Sequence, residues 1–208
     1  MSKKQRTHIT FVLDETGSMF DIKNDVIGGF NEYISKLKGD TKGVYFTLIS
    51  FDSNRFNVRH DNVKLKDVVP LTDETYQPGA MTPLIDTCMK AISQTEEAVA
   101  VNKAGRVMVT VYTDGYENAS TVYRQADLVA KIKALKDKSW EFSFLGADMD
   151  AFGEASNYGI AAASTYNTSK AATGQTFRNL ASGHTRSSNR TSTTSEWTDA
   201  ERKKAEGN

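Results

Sequence analysis

Apolar positions along the chain follow two spacings that alternate. Residues 8–13 (HITFVL) form a nearly unbroken apolar run, the mark of a strand covered on both faces. Ile22, Val26, Phe30, Tyr33, Ile34 and Leu37 then recur at helical intervals between polar residues, predicting an amphipathic helix that closes at Gly39. Residues 43–52 (GVYFTLISFD) predict a second strand. After a turn at Ser53–Asn54, RFNVRH (55–60) alternates as a hairpin partner or edge strand would. Residues 61–78 are polar and irregular, apart from an apolar cluster at Val68–Leu71.

In PGAMTPL (78–84), Pro83 suits the first position of a helix and Thr82 suits its cap, with Leu84, Ile85, Cys88, Met89 and Ile92 as the buried stripe. RVMVTVYT (106–113) is a further strand, ending in Asp114–Gly115. Leu128, Val129, Ile132 and Leu135 mark a helix, and WEFSFLGA (140–147) the next strand. A short helix is predicted from a cap at Asp148 to near Gly159, then a weak strand around Ile160–Tyr166. A last helix follows near Ser169–Leu180, with Gly183 beyond it.

This order of elements implies an α/β fold, doubly wound, with an open and mostly parallel sheet and helices on both faces. One domain over residues 1–183 accounts for it. From His184 the composition turns to Ser, Thr, Asn and Arg, which reads as a polar tail over 184–208, disordered or carrying one frayed helix. Thr198 and Glu201 have capping-box spacing for that helix.

Charge narrows the partners. The 26 Lys and Arg balance 26 Asp and Glu, so no overall basic field favours nucleic acid. No apolar stretch is long enough to span a bilayer, and the basic N-terminal stretch has too short an apolar run for a signal peptide. The single cysteine, Cys88, sits in a helical apolar pattern, which fits a reducing, cytoplasmic setting.

The candidate chemistry lies in three loops. DETGS (14–18) places Asp14, Thr16 and Ser18 at alternate positions directly after the first strand. Asp114 also follows the carboxyl end of an apolar strand, and Thr82 opens a helix. In a parallel sheet these positions share one rim, where ligands bind near the switch in strand order. Asp14, Thr16, Ser18, Thr82 and Asp114 are all hard oxygen donors, suited to Mg2+, Mn2+ or Ca2+ rather than zinc or copper. Only two carboxylates oppose a doubly charged cation, and if either binds through water the metal stays electrophilic, with a position open to an Asp or Glu of a partner protein. Each residue also has a plain structural role: Ser18 and Thr82 as helix caps, Asp114–Gly115 as a turn pair, Asp14 as an acceptor for backbone amides. Taken together at one rim, the structural readings need several coincidences, and the metal reading is favoured.

The pattern DETGS, then GAMTPL (79–84), then VYTDG (111–115) resembles von Willebrand factor A (vWA) domains with a metal-ion-dependent adhesion site. The similarity covers residues 7–183 by order of elements, with one departure: Thr16 stands where the family usually has Ser. The resemblance implies one antiparallel edge strand, a role that suits RFNVRH. It also implies Ser18, Thr16 and Thr82 as ligands, with Asp14 and Asp114 acting directly or through water. FLGADMDAF (144–152) further resembles stand-alone intracellular vWA proteins of bacteria and phages, some of which work beside AAA+ ATPases.

The function expected is therefore a non-enzymatic, divalent-metal-dependent protein-binding module. A Mg2+-dependent phosphohydrolase of haloacid-dehalogenase type is disfavoured, because its second aspartate would fall at Thr16, which cannot serve as acid or base. A scaffold acting through the tail or the edge strand is a third reading. His8, His60 and His184 are read as surface or edge residues, Cys88 as core, and Trp197 as stapling a short helix or docking on a partner.

Overall fold

The computed structural model describes residues 6–205, apart from 148, 162–164 and 169–171. Six strands form one sheet in the order β3-β2-β1-β4-β5-β6. They are β1 (Thr7–Asp14), β2 (Val44–Asp52), β3 (Arg55–Lys64), β4 (Arg106–Thr113), β5 (Trp140–Ala147) and β6 (Thr165–Thr168). β3 runs antiparallel to β2 at the edge, and the other pairings are parallel. The predicted α/β doubly wound class is therefore the observed one.

The helices are α1 (Lys23–Asp40), α2 (Leu84–Asn102), α3 (Gln125–Lys136), α4 (Ala151–Asn157), α5 (Thr173–Ser188) and α6 (Asp199–Ala205). Every residue of β1 is buried, as a central strand with layers on both sides requires. Phe11 of β1 meets Phe30 of α1 edge-on at 5.6 Å and stacks with Phe177 of α5 at 6.0 Å. Each such ring, fully withdrawn from water, contributes about 1.5–3 kcal/mol. α1 and α5 approach closely at Gly29, where a Cβ would lie 2.4 Å from the Phe177 ring. Val12, Ile49, Val109 and Val111 pack on the opposite face with α2, α3 and α4.

Several expectations change in detail. β3 continues to Lys64 through register irregularities opposite Phe46 and Leu48, so it is a long, bulged edge. Asp150, not Asp148, caps α4, accepting a hydrogen bond from the Gly153 amide at 3.0 Å; Asp148 lies outside the described residues. β6 begins at Thr165, later than its apolar pattern suggested.

The helix expected to stop before Gly183 runs on to Ser188. His184 is thus fully buried rather than heading an exposed tail, with Nδ1 2.8 Å from the Tyr33 hydroxyl and Nε2 3.2 Å from Thr110 Oγ1. The polar segment beyond packs back on the body. Trp197 stacks on Tyr166 at 4.0 Å, and Arg186 forms two hydrogen bonds with the Glu201 carboxylate. Its low hydrophobicity is offset by hydrogen bonds and one aromatic anchor.

Candidate functional site

β1 and β4 are adjacent, and the connections leave them on opposite sides of the sheet, so the rim at their carboxyl ends is the switch in strand order. Asp14 ends β1 and Asp114 follows β4 directly. Asp14 is buried and both its oxygens are engaged. Oδ1 accepts the Thr16 amide at 2.7 Å, and Oδ2 accepts the Thr113 hydroxyl. Burial raises its pKa to about 6; the hydrogen bonds from Thr113 and Thr16 oppose that rise, and the neighbouring Asp114 adds to it.

The hydroxyls point away from the plain capping roles. A 3-10 turn over Gly17–Ile22 follows Thr16, and Thr16 makes no side-chain cap bond to it. Thr16 Oγ1 instead lies 3.3 Å from Ser18 Oγ, and Ser18 donates to Asp114 Oδ1. Thr82 is likewise not the cap of α2. That end is served from the loop after β4, where Glu117 accepts the Ile85 amide at 2.7 Å and Ser120 Oγ accepts the Asp86 amide at 3.0 Å. The Thr82 backbone is held by Asn118 through N–H to Oδ1 at 2.8 Å and carbonyl to N–H at 3.1 Å. Its side chain turns to Gly115. A Cβ added there would sit 3.2 Å from Thr82 Oγ1 and 3.7 Å from Ser18 Oγ. Three loops, far apart in sequence, thus bring Ser18, Thr82 and Asp114 around one point, with Thr16 alongside and Asp14 behind.

A buried brace holds this arrangement, and its residues carried no signal in the sequence. Glu15, wholly buried, accepts from Ser50 Oγ at 2.6 Å and the Gln77 amide, and both its oxygens accept from Arg59 at 2.9 and 2.7 Å. Its carbonyl accepts the Gly79 amide at 2.9 Å, and the Gly17 amide donates to Ala80 O at 3.1 Å. The strand-end acid therefore ties the Thr82 loop to the DETGS turn. Tyr76, also buried, donates to the Asp14 carbonyl at 2.6 Å. Arg59 lies on an alternating edge strand and Tyr76 in an irregular stretch, so neither spacing nor composition pointed inward.

The donor set fits a hard divalent cation: neutral hydroxyls and a carboxylate converge where even a methyl group would intrude. Among the described residues no group of three or more His, Cys, Asp and Glu gathers, so the arrangement lacks the chemistry of a zinc centre. The histidines lie elsewhere. His8, expected at the surface, is buried between Thr47 and Asn102, and His60 reaches the Val69 carbonyl. Cys88 is core, its thiol pushed up to about 12 by burial. Around the rim, Phe20, Met81 and Tyr116 are large apolar side chains left exposed, each within two residues of a convergent oxygen.

No family model and no curated protein sequence matches the chain; the likeness is structural. Proximal thread matrix protein 1 from the mussel byssus aligns with a TM-score of 0.61 at 14% identity, over 85% of this chain and 45% of that one. A von Willebrand factor type A protein from Catenulispora acidiphila gives 0.60 at 13%, over 87% and 43%. Manganese-loaded Plasmodium vivax TRAP protein gives 0.53 at 12%, over 82% and 71%. This chain spans less than half the length of the first two. The fold is that of vWA domains. No helix among the described residues is long and apolar enough to cross a membrane.

Proposed function

We propose that this chain is a divalent-cation-dependent protein-binding module that captures an acidic side chain of a partner protein at the β1–β4 rim. The observation that carries the reading is the convergence of Ser18, Thr82 and Asp114, with the hydroxyls turned away from helix caps that other residues supply. Ser18, Thr82 and Asp114 would hold Mg2+, Mn2+ or Ca2+, with Thr16 beside them. Asp14 stands behind, orienting the turn through the Thr16 amide and Thr113 hydroxyl. A bound cation supplies a Lewis-acidic position for an external carboxylate. Neutral hydroxyls temper that position less than a full set of carboxylates would. That the TRAP protein, of similar fold, is manganese-loaded supports a divalent cation as the ligand.

The exposed Phe20, Met81 and Tyr116 support a protein as the ligand, since an apolar border around a charged contact is how interfaces exclude water. No histidine stands at the rim for acid–base work, which supports binding rather than turnover. The test is Mn2+ titration calorimetry on the whole chain beside capture of partners with and without EDTA. Thr82→Ala is expected to weaken Mn2+ at least about tenfold and to release the EDTA-sensitive partner. Unchanged Mn2+ affinity in that variant, or a captured partner indifferent to both chelator and mutation, sinks the reading.

A further inference from the structure

The opposite pole of the sheet carries a second candidate site. A cleft of about 300 Å³ opens where β1 and β2 begin and β3 ends. Five of its ten lining residues are cationic, namely Arg6, Lys38, Lys42, Lys64 and Lys66, and none is acidic. In a chain whose formal charge is +0, this is local segregation of charge rather than a general excess. The five come from four separate places: the entry to β1, the last turn of α1, the α1–β2 turn, and the end of β3 with the turn after it.

Two of the five cations are tied to backbone carbonyls, and all five are exposed. Arg6 donates to Asn102 O at 2.6 Å and lies over the Tyr45 ring at 5.7 Å. Lys38 Nζ donates to Val68 O at 2.7 Å. Lys42, Lys64 and Lys66 are exposed at the mouth; the acids beside them are Asp67, 4.0 Å from Lys66, and Asp40, which lines the adjoining depression with Lys42. The electronegative end of α1 is partly masked, because Thr41 donates both its amide and its hydroxyl to Leu37 O. A depression lined by Asn189 and Arg190 adjoins the cleft through Thr41 and Lys42, giving room for the rest of a ligand.

We infer that this cleft binds a compact phosphate-rich anion, of the class of inorganic polyphosphate or a nucleoside triphosphate. The space suits a small molecule rather than a folded element of a partner. Four of the five cations are lysines, which bind phosphate groups as point charges, and a phosphate chain carries more charge per unit of volume than a run of carboxylates. The inference stands apart from the cation rim and holds whether or not that rim binds metal.

The experiment is calorimetric titration of inorganic tripolyphosphate into the whole chain, freed of divalent cations so that the rim takes no part. One-to-one binding is expected, weakened at least about tenfold by Lys42→Glu/Lys64→Glu and less by the milder Lys42→Gln/Lys64→Gln. Thr82→Ala and a charge reversal on α3, Lys133→Glu/Lys136→Glu, are expected to leave it unchanged. Adenosine triphosphate in place of tripolyphosphate reports whether the adjoining depression adds affinity; equal binding still supports the phosphate site. No binding at millimolar tripolyphosphate overturns the inference. So does equal loss in the α3 variant, or preference for polyglutamate or single-stranded DNA over tripolyphosphate.

Discussion

The two poles of the one sheet are built in opposite ways. At the carboxyl ends of the strands, the charges behind the rim are buried and cross-braced: Glu15 and Asp14 are wholly withdrawn from water, and each of their carboxylate oxygens accepts a hydrogen bond. At the amino ends, the cleft's cations are exposed, and only Arg6 and Lys38 among them are tied to backbone carbonyls by an assigned hydrogen bond. The difference teaches where binding geometry is prepaid. A rim that must hold several oxygens within an ångström needs a rigid backing, and folding supplies it. A polyanion cleft can let flexible lysines adjust to the ligand. Substitutions at the rim's backing should therefore damage the fold, and substitutions at the cleft should not.

The largest expected effect tests that backing. Glu15→Gln leaves Arg59 facing a neutral amide in a site where the acid was wholly buried and the arginine mostly so. It also weakens the acceptor for Ser50 and for the Gln77 amide. Breaking one partner of such a pair costs about 3–5 kcal/mol. Urea unfolding followed by circular dichroism reads it, and Lys42→Glu/Lys64→Glu measured alongside is expected to shift stability by only about 0.5 kcal/mol. A Glu15→Gln midpoint equal to wild type would remove the contrast between the poles.

Acid sharpens the comparison from the cleft side, because His8 lies beneath that pole. The Asn102 side chain is oriented by the Ala104 amide, which donates to its Oδ1 at 2.8 Å, so its NH2 group faces His8 Nδ1 at 2.8 Å. The imidazole must accept there and is held neutral, and burial lowers its pKa to about 4 from 6.5. The unfolded chain then binds the extra proton first. Stability is fully present above about 6.5 and is lost as pH falls toward about 4, by roughly 3 kcal/mol. His184, lowered to about 3 by burial, adds a loss of the same sign. Unfolding at stepped pH is expected to show a shallower acid limb in His8→Gln than in wild type. Parallel limbs would mean that His8 titrates normally.

How much of this was legible in the sequence follows from the range of the interactions. Strand and helix order was, because periodicity is local; β4 and β5 begin and end where their apolar runs do. The convergent rim was legible because each oxygen sits next to a strand end or helix start. The brace was not: Glu15 and Arg59 are 44 residues apart and each looks like an ordinary surface charge. His8 and His184 failed for the same reason, their partners Asn102 and Tyr33 lying 94 and 151 residues away. In the polar segment after Gly183 only the short helix with its Thr198–Glu201 cap was legible, because composition registers missing apolar area, not the pairing of Arg186 with Glu201 or the seat of Trp197 on Tyr166. Capping of α2 by Glu117 was invisible too, and it is what releases Thr82 for the rim.

The smallest expected change in stability carries the finest test of the rim. Gly115 has ordinary backbone geometry, so its lack of a side chain is explained by space: a Cβ would meet Thr82 Oγ1 at 3.2 Å and Ser18 Oγ at 3.7 Å. A shift of a few tenths of an ångström accommodates the methyl, so Gly115→Ala should change stability by less than about 1 kcal/mol. The same shift displaces Thr82 Oγ1, one of the three proposed ligands, and Mn2+ affinity should fall about tenfold in calorimetry. Retained affinity with unchanged stability would mean that the hydroxyls tolerate displacement and do not ligate. Lost stability of several kcal/mol would mean instead that the glycine serves the fold, and that the rim is as much a structural joint as the brace behind it.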